Sequence, residues 1–338
     1  MSRLLACTLL ASGLLAAPGA LLAQRGTHVP TIDELLALRS VGSPQLSPDG
    51  RRIAWLETRT DWGRDQFTSQ LWLADSAGAV PRQLTRHEQG VSQPLWSPDG
   101  KWIAVTSTRV GGKAQLFAIP VDGGEAVQLT NHPVGVIGFR WSPTGDRIAF
   151  TATAADPERT RRDSTYGAFE VVRRDYAWPQ LWTIELAPAL AAPQGGTMRT
   201  RGTQRAVGGF EWSPDGTRIA FAATRAPDLA FAETSDLFVD SVRAVVTQPG
   251  PEGTPTWSPD GTRLVFASAM GATERNYART LRLATVSAEG GAVTPVPTTF
   301  DEQASVIGWT TAGIWFAALE RTASHLFRVD PASGAVTR

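Results

Sequence analysis

The chain has 338 residues, of which 19% are charged, and its 32 basic and 32 acidic residues balance to a formal net charge of zero. This length is enough to bury a substantial core, as one large domain or two ordinary ones. The balanced charge gives no electrostatic footprint for nucleic acid or for an acidic membrane surface, so we expect neither as a partner.

Residues 1–23 have the layout of a secretory signal peptide. Arg3 precedes the apolar stretch LLACTLLASGLLAAPGALLA, which ends in small residues before Gln24. We predict cleavage after Ala23, export to the periplasm or the exterior, and no membrane contact after cleavage. A transmembrane anchor is the alternative, but glycine and proline interrupt the run and no basic cluster follows it. Cys7 is the only cysteine and leaves with the signal, so no disulfide is expected.

Residues 24–42 read as a lead-in that contains a short helix from Thr31 to Arg39. Thr31 can cap this helix, Asp33 and Glu34 fall in its first turn, and leucines follow at helical spacing.

Residues 43–338 repeat one unit, in which a four-residue turn separates two apolar runs. In Ser-Pro-Asp-Gly, proline presets the second turn position, aspartate can bond to nearby backbone, and glycine accepts the left-handed conformation. The alternating residues that follow each turn are typical of a strand. The copies are LSPDGRRIAWL from Leu46, LWSPDGKWIAV from Leu95, WSPTGDRIAF from Trp141, WSPDGTRIAF from Trp212 and WSPDGTRLVF from Trp257.

The regular spacing of these units predicts an all-β fold, a β-propeller of four-stranded antiparallel blades. Most units begin about 45 to 50 residues apart, and a degenerate sixth unit, GWTTAGIWF from Gly308, keeps the tryptophan and the glycine. Six blades are expected to start near residues 43, 91, 136, 207, 254 and 305. Strand tryptophans are expected to pack between sheets, with ligand stacking as the alternative. A two-sheet sandwich is the other fold considered, and the fixed period counts against it.

The third interval is about 25 residues longer than the blade period and places extra chain between Thr153 and Pro179. Long insertions in a repeat scaffold are often binding loops, and a solvated loop with weak local ion pairs is the alternative. A glutamate here could pair a peptide amine and an arginine a carboxylate. The candidate substrate-binding residues are Tyr166, Glu170, Arg173, Arg174, Tyr176 and Trp178. The segment DWGRDQFTS, Asp61 to Ser69, is a shorter loop of the same kind.

The sequence offers no catalytic constellation. Its four histidines lie far apart without ligand spacing, and calcium-loop motifs are absent, so no metal or cofactor is expected. No Gly-x-Ser-x-Gly elbow occurs, and the nearest stretch, Gly90 to Pro94, ends in proline where the elbow needs glycine.

The opening IDELLALRSVGSPQLSPDGRRIAWL and the phrases DWGRDQFTSQLWLAD and FEVVRRDYAWPQLWTIEL resemble the N-terminal propeller of prolyl oligopeptidase-family serine peptidases, in the acylaminoacyl- and dipeptidyl-peptidase branches. The resemblance implies a propeller that filters peptides for a C-terminal α/β-hydrolase domain with a Ser-Asp-His triad. It also implies about seven or eight blades, so the chain is expected to be truncated in its sixth blade. Dipeptidyl-peptidase relatives hold the substrate amine with a pair of glutamates, whereas this segment offers Glu170 beside Val171.

We therefore expect a non-catalytic, substrate-gating propeller of a secreted peptidase, present as a fragment that lacks the hydrolase domain. Its partner would be a peptide substrate, shared with that domain. The alternative is a stand-alone periplasmic TolB-like propeller that binds a protein or peptide, and a poorly folding remnant of a broken gene is a third possibility.

Overall fold

A computed structural model describes residues 28–75, 77, 78, 80–171, 174–200, 205–240, 243–272 and 280–338. The predicted signal peptide and Cys7 lie outside the described residues. The chain divides into two compact units, residues 1–38 and residues 39–338. No helix within the described ranges is both long enough and apolar enough to cross a membrane.

The described part of the first unit contains one helix, α1, Ile32–Leu36. Thr31 caps it through a reciprocal box: the Glu34 amide donates to Thr31 Oγ1 over 3.2 Å, and the Thr31 amide donates to Glu34 Oε2 over 2.9 Å. The helix is shorter than the predicted span from Thr31 to Arg39. None of its residues is buried, so no packing prolongs it beyond its cap.

The second unit is all-β and consists of six four-stranded antiparallel sheets, each built from consecutive strands, as expected for propeller blades. The first three sheets contain β1 Ser40–Leu46, β2 Arg52–Asp61, β3 Gln66–Asp75 and β4 Arg82–Gln83; β5 Ser92–Trp96, β6 Trp102–Ser107, β7 Gln115–Pro120 and β8 Val127–Gln128; β9 Gly138–Trp141, β10 Arg147–Thr153, β11 Pro179–Glu185 and β12 Thr197–Met198.

The other three sheets repeat this order. They contain β13 Ala206–Trp212, β14 Ile219–Thr224, β15 Asp236–Val239 and β16 Arg243–Val246; β17 Thr256–Trp257, β18 Arg263–Ser268, β19 Arg282–Ser287 and β20 Thr294–Pro295; β21 Ser305–Thr310, β22 Gly313–Glu320, β23 Ala323–Val329 and β24 Val336–Thr337. Two α-helices and a 3₁₀ helix lie in connections of the third and fourth sheets: α2 Pro157–Tyr166, α3 Leu186–Ala191 and the 3₁₀ helix Leu229–Thr234. The described residues form no α/β-hydrolase domain.

The repeated turn joins the first two strands of a sheet and is held by one recurring set of hydrogen bonds. In the first copy the Ser47 hydroxyl donates to Asp49 Oδ1 over 2.5 Å and accepts from the Arg52 amide over 2.9 Å. Gly50 follows with φ of +70°, a conformation that glycine adopts without steric cost. The same bonds recur around Ser97, Ser213 and Ser258. The turn residues therefore fix the strand register of each sheet locally.

In the second to fifth sheets, a tryptophan at the end of the first strand bonds to the preceding sheet. The indole Nε1–H of Trp96 donates to Gln45 O, and that of Trp141 donates to Leu95 O, over 3.1 and 3.2 Å. Two further sheets repeat the bond, from Trp212 to Arg140 O and from Trp257 to Glu211 O. The tryptophans thus pack between sheets, as predicted, and also set how successive sheets align.

Among the residues that the structure describes, five apolar clusters lie between successive sheets, and none of these clusters contains residues of both the first and the sixth sheet. Large side chains of these two sheets stay exposed: Val41 and Leu46 are 66% and 63% exposed in the first, and Ile307 and Leu319 are 60% and 58% exposed in the sixth.

Candidate functional site

The insertion in the third sheet, residues 154–178, connects β10 to β11 and contains helix α2. The sequence suggested a loop here, and the helix forms because its first turn is well capped. Asp156 Oδ1 accepts hydrogen bonds from the amides of Glu158 and Arg159, both over 3.0 Å, and Pro157 occupies the first helical position. Gly167, at φ of +83°, ends the helix. The Asp-Pro-Glu start was the signal in the sequence that could have predicted it.

Arg162 holds the rest of the insertion against this helix. Its Nη1 donates to Asp175 Oδ2 over 2.6 Å, its Nη2 donates to Phe169 O over 2.9 Å, and its guanidinium lies 4.5 Å from the centre of the Phe169 ring. Asp175 Oδ2 also accepts from the Val171 amide over 2.8 Å, and its side chain is 5% exposed. The hydrogen bond from Val171, followed by the bond and charge of Arg162, lowers the pKa of Asp175.

Arg159 forms a second set of contacts with the same segment. Its Nη2 lies 3.2 Å from Glu170 Oε1, and its Nη1 donates to Asp175 O over 3.1 Å. The predicted amine-binding carboxylate, Glu170, is thus already paired within the insertion. Its role toward a peptide amine stays a prediction.

The end of the insertion is attached to the connection of the neighbouring sheet. The Tyr176 hydroxyl donates to Asp228 Oδ2 over 2.9 Å, and Asp228 also caps the 3₁₀ helix by accepting from the Ala230 amide. The Tyr176 ring packs edge-on against Trp178, with ring centres 5.8 Å apart. These two predicted residues therefore lie together and link the connections of the third and fourth sheets.

The outer surface of the insertion contains an open cleft of about 490 Å³. Of the predicted residues, Tyr166 and Arg174 line it, and Tyr166 is 78% exposed. Arg173 lies outside the described residues. The full lining is Asp156, Glu158, Arg159, Arg161, Arg162, Thr165, Tyr166, Arg174 and Asp175. The other seven lining residues, Arg161 among them, were not predicted, because most of them owe their place in the cleft to helix α2.

The shorter segment from Asp61 to Ser69 is mostly strand rather than loop. Strands β2 and β3 pair as far as Asp61 and Gln66, which leaves residues 62–65 as the turn. Asp61 anchors this turn by accepting hydrogen bonds from the amides of Gly63 and Arg64, and Trp62 at its tip is 59% exposed.

The histidine that follows the Leu-Thr pair in the second sheet has a packing role. His132 is buried, its ring lies 4.6 Å from that of Trp182, and burial lowers its pKa. It belongs to a clamp in which Thr130 Oγ1 donates to Gln115 Oε1 and Gln115 Nε2 donates to His132 O. The first sheet has the same clamp. In the part of the chain that the structure describes, no serine is hydrogen-bonded to a histidine, and no group of three potential ligands could hold a metal.

Buried carboxylates of the fourth and fifth sheets also escaped the sequence interpretation. Asp236 stands where the first three sheets have the clamp glutamine, and it pairs with Arg205 over 3.4 Å. Burial raises the pKa of Asp236, and burial raises the pKa of Glu252 to about 7. Glu252 Oε1 accepts from Gln248 over 2.6 Å, whereas its Oε2 has no partner among the described residues.

Comparisons with known proteins show which propellers this chain is similar to. The family model PD40, described as the TolB beta propeller domain, matches residues 37–172. Dipeptidyl-peptidase 5 of Porphyromonas gingivalis is 26% identical over 338 aligned residues, which cover 92% of this chain and 49% of that protein.

Two solved structures share the fold. The acylaminoacyl peptidase of Pyrococcus horikoshii has a TM-score of 0.63 at 13% identity, over 90% of this chain and 46% of that one. The beta-propeller domain of the Trilobed protease from Pyrococcus furiosus has a TM-score of 0.60 at 12% identity, over 88% of this chain and 84% of that one. The chain thus spans about half the length of the two full peptidases that it matches.

Proposed function

We propose that this chain, a PD40 β-propeller related to the propellers of acylaminoacyl and dipeptidyl peptidases of the prolyl oligopeptidase family and to TolB, is the non-catalytic, substrate-gating propeller of an exported serine peptidase. The observation that carries the proposal is the alignment with dipeptidyl-peptidase 5, which covers 92% of this chain but 49% of that protein. The other half of such a peptidase would be an α/β-hydrolase domain with a Ser-Asp-His triad. This chain would then be a fragment of the whole enzyme.

The proposed roles of the propeller and of the hydrolase domain follow from the chemistry that each of them can perform. Acyl transfer to a serine needs a nucleophile, a base and an oxyanion site in one place. The sequence has no nucleophile elbow, and no described serine has a histidine partner. The propeller would therefore act on the peptide before the reaction, by admitting and orienting it.

The insertion is the part of the propeller that we assign to peptide contact. Glu170, Tyr176 and Trp178 give it a fixed shape, through Arg159 and through the neighbouring connection. Tyr166 and Arg174 line its open cleft and are available to a ligand. A rigid support with exposed polar and aromatic groups is the arrangement expected of a binding site on a repeat scaffold.

The test is an activity assay of the purified chain with dipeptidyl and acyl-aminoacyl reporter substrates, beside labelling with a fluorophosphonate probe. We expect neither turnover nor a labelled band, since the serine nucleophile would belong to the other domain. Turnover by the chain that is retained after repurification, or labelling of the chain by the fluorophosphonate, would overturn the proposal. The proposed export is tested by N-terminal sequencing of the native protein, which should begin at Gln24.

A second candidate is a stand-alone propeller that binds a protein partner, and the observation in its favour is the match of residues 37–172 to the TolB propeller model. Cross-linking in cells that produce the protein naturally distinguishes the two. The stand-alone candidate predicts a cross-linked partner on a separate chain, whereas the gating propeller predicts a hydrolase domain on the same polypeptide.

A further inference from the structure

The cleft of the insertion is unusually rich in arginine. Four guanidinium groups line one opening of about 490 Å³, those of Arg159, Arg161, Arg162 and Arg174. Arginine is the residue best suited to bind carboxylates, because its planar fork can donate two parallel hydrogen bonds. What matters for binding is which of these four groups are already neutralised by the protein.

Two of the four are used internally. Arg162 pairs with Asp175 over 2.6 Å and with Asp163 over 2.9 Å, and its side chain is 15% exposed. Arg159 pairs with Glu170 over 3.2 Å and lies 3.7 Å from Asp163. These arginines hold the wall of the cleft in place, and their charge is balanced by the protein's own carboxylates.

The other two guanidinium groups have no such partner. Arg161 and Arg174 are both exposed, and neither side chain forms a hydrogen bond or ion pair with another described residue. Two carboxylates of the lining could oppose them: Asp156 is occupied as the cap of α2, and Glu158 lies on the first turn of α2 without an ion pair to a described residue. The unpaired side chains of the cleft thus carry more positive than negative charge.

We infer that Arg161 and Arg174 form a carboxylate-binding site for peptides, which gives the propeller a preference for acidic peptides. This inference rests on the proposed function, since it names the class of peptide that the insertion would select. Tyr166 and Thr165 complete the lining with an exposed ring and a hydroxyl that can contact the peptide beside its carboxylate. The cleft has room for an aspartate or glutamate side chain together with part of the adjoining backbone.

The experiment measures binding of fluorescein-labelled peptides to the whole 338-residue chain by fluorescence anisotropy. Three peptides share one sequence and differ in their carboxylates. The first has a central glutamate and an amidated C-terminus, the second has glutamine at that place and is also amidated, and the third has glutamine and a free C-terminal carboxylate. We expect the glutamate peptide to bind at least about tenfold more tightly than the amidated glutamine peptide, because a charge-assisted pair is lost. Tight binding of the third peptide would identify the terminal carboxylate as an equally good source of the charge.

The variant R161Q/R174Q should abolish this preference, and R51Q/R86Q, which also removes two positive charges, is the matched control. Arg51 and Arg86 are exposed too, and both lie outside the cleft. Because the side chains of Arg161 and Arg174 form no hydrogen bond or ion pair with another described residue, the double variant should keep the circular dichroism and melting temperature of the parent. Preference that survives in R161Q/R174Q, equal binding of all three peptides, or binding of none would each overturn the inference. The reporter and fluorophosphonate assays are independent of it, so a failure here leaves the test of the proposed function intact.

Discussion

Removing one indole donor tests whether the tryptophan bonds between sheets stabilise the fold. In Trp141→Phe the ring still fills the cluster between the second and third sheets, but the bond from Nε1 to Leu95 O, 3.2 Å long, is lost. A hydrogen bond of this kind contributes about 0.5–1.5 kcal/mol. The smaller ring removes some apolar contact as well.

The control is Trp309→Phe in the sixth sheet. Trp309 packs against the cluster between the fifth and sixth sheets, and its indole donates no hydrogen bond to a described residue. Both substitutions remove the same ring atoms, but Trp141 is buried and Trp309 is partly buried, so the difference between them contains the hydrogen bond and the additional apolar contact of Trp141. We expect Trp141→Phe to lower the free energy of unfolding by about 1 kcal/mol more than Trp309→Phe does.

Equilibrium unfolding in urea, followed by far-ultraviolet circular dichroism, gives both values without relying on tryptophan fluorescence. If Trp141→Phe is no more destabilising than Trp309→Phe, the inter-sheet bond contributes nothing to the stability of the fold.

Three further predictions concern buried polar and glycine positions. Burial raises the pKa of Glu211 from 4.5 to about 7, so the folded protein holds an extra proton between these values and loses stability as the pH rises through them. Glu211→Gln should therefore be more stable than the parent at pH 8, by up to about 3 kcal/mol, and its gain in stability should be small at pH 4.5. Equal gains at both pH values, measured by chemical denaturation, would contradict this prediction. Thr130→Val removes the buried hydroxyl between Gln115 Oε1 and the Leu116 amide and should destabilise by about 1–3 kcal/mol, whereas an unchanged urea midpoint would argue against the clamp. Gly196→Ala should lower the melting temperature more than Gly167→Ala does. Both glycines have a similar positive φ, but only a Cβ at position 196 would meet Phe150, at 2.7 Å. Equal melting temperatures of the two variants would show that the clash with Phe150 is relieved.

The repeated turns and their flanking strands could be predicted because their chemistry is local. Ser47, Asp49 and Gly50 determine the turn within six residues of chain, and the alternation after it determines which face is buried. Five such copies and the degenerate unit at Trp309 were enough to predict an all-β propeller, and the six four-stranded sheets confirm that fold.

The candidate site was less predictable because its contacts join residues far apart in the chain or depend on an unrecognised helix. Nothing local in the sequence indicates that Arg162 pairs with Asp175 or that Tyr176 bonds to Asp228, a residue of the neighbouring sheet's connection. Arg161 and Arg174 were not recognised as a pair for the same reason. Helix α2 determines which of four similar arginines are neutralised and which are free.

The proposed function requires that this propeller belong to a serine peptidase whose nucleophile lies on another domain of the same polypeptide. The most direct test is to treat cells that produce the protein naturally with a fluorescent fluorophosphonate and to immunoprecipitate it with an antibody raised against the propeller. We predict a labelled polypeptide about twice the length of this chain, as its coverage of dipeptidyl-peptidase 5 implies. An unlabelled polypeptide of about 338 residues would contradict the claim and favour the stand-alone binding propeller.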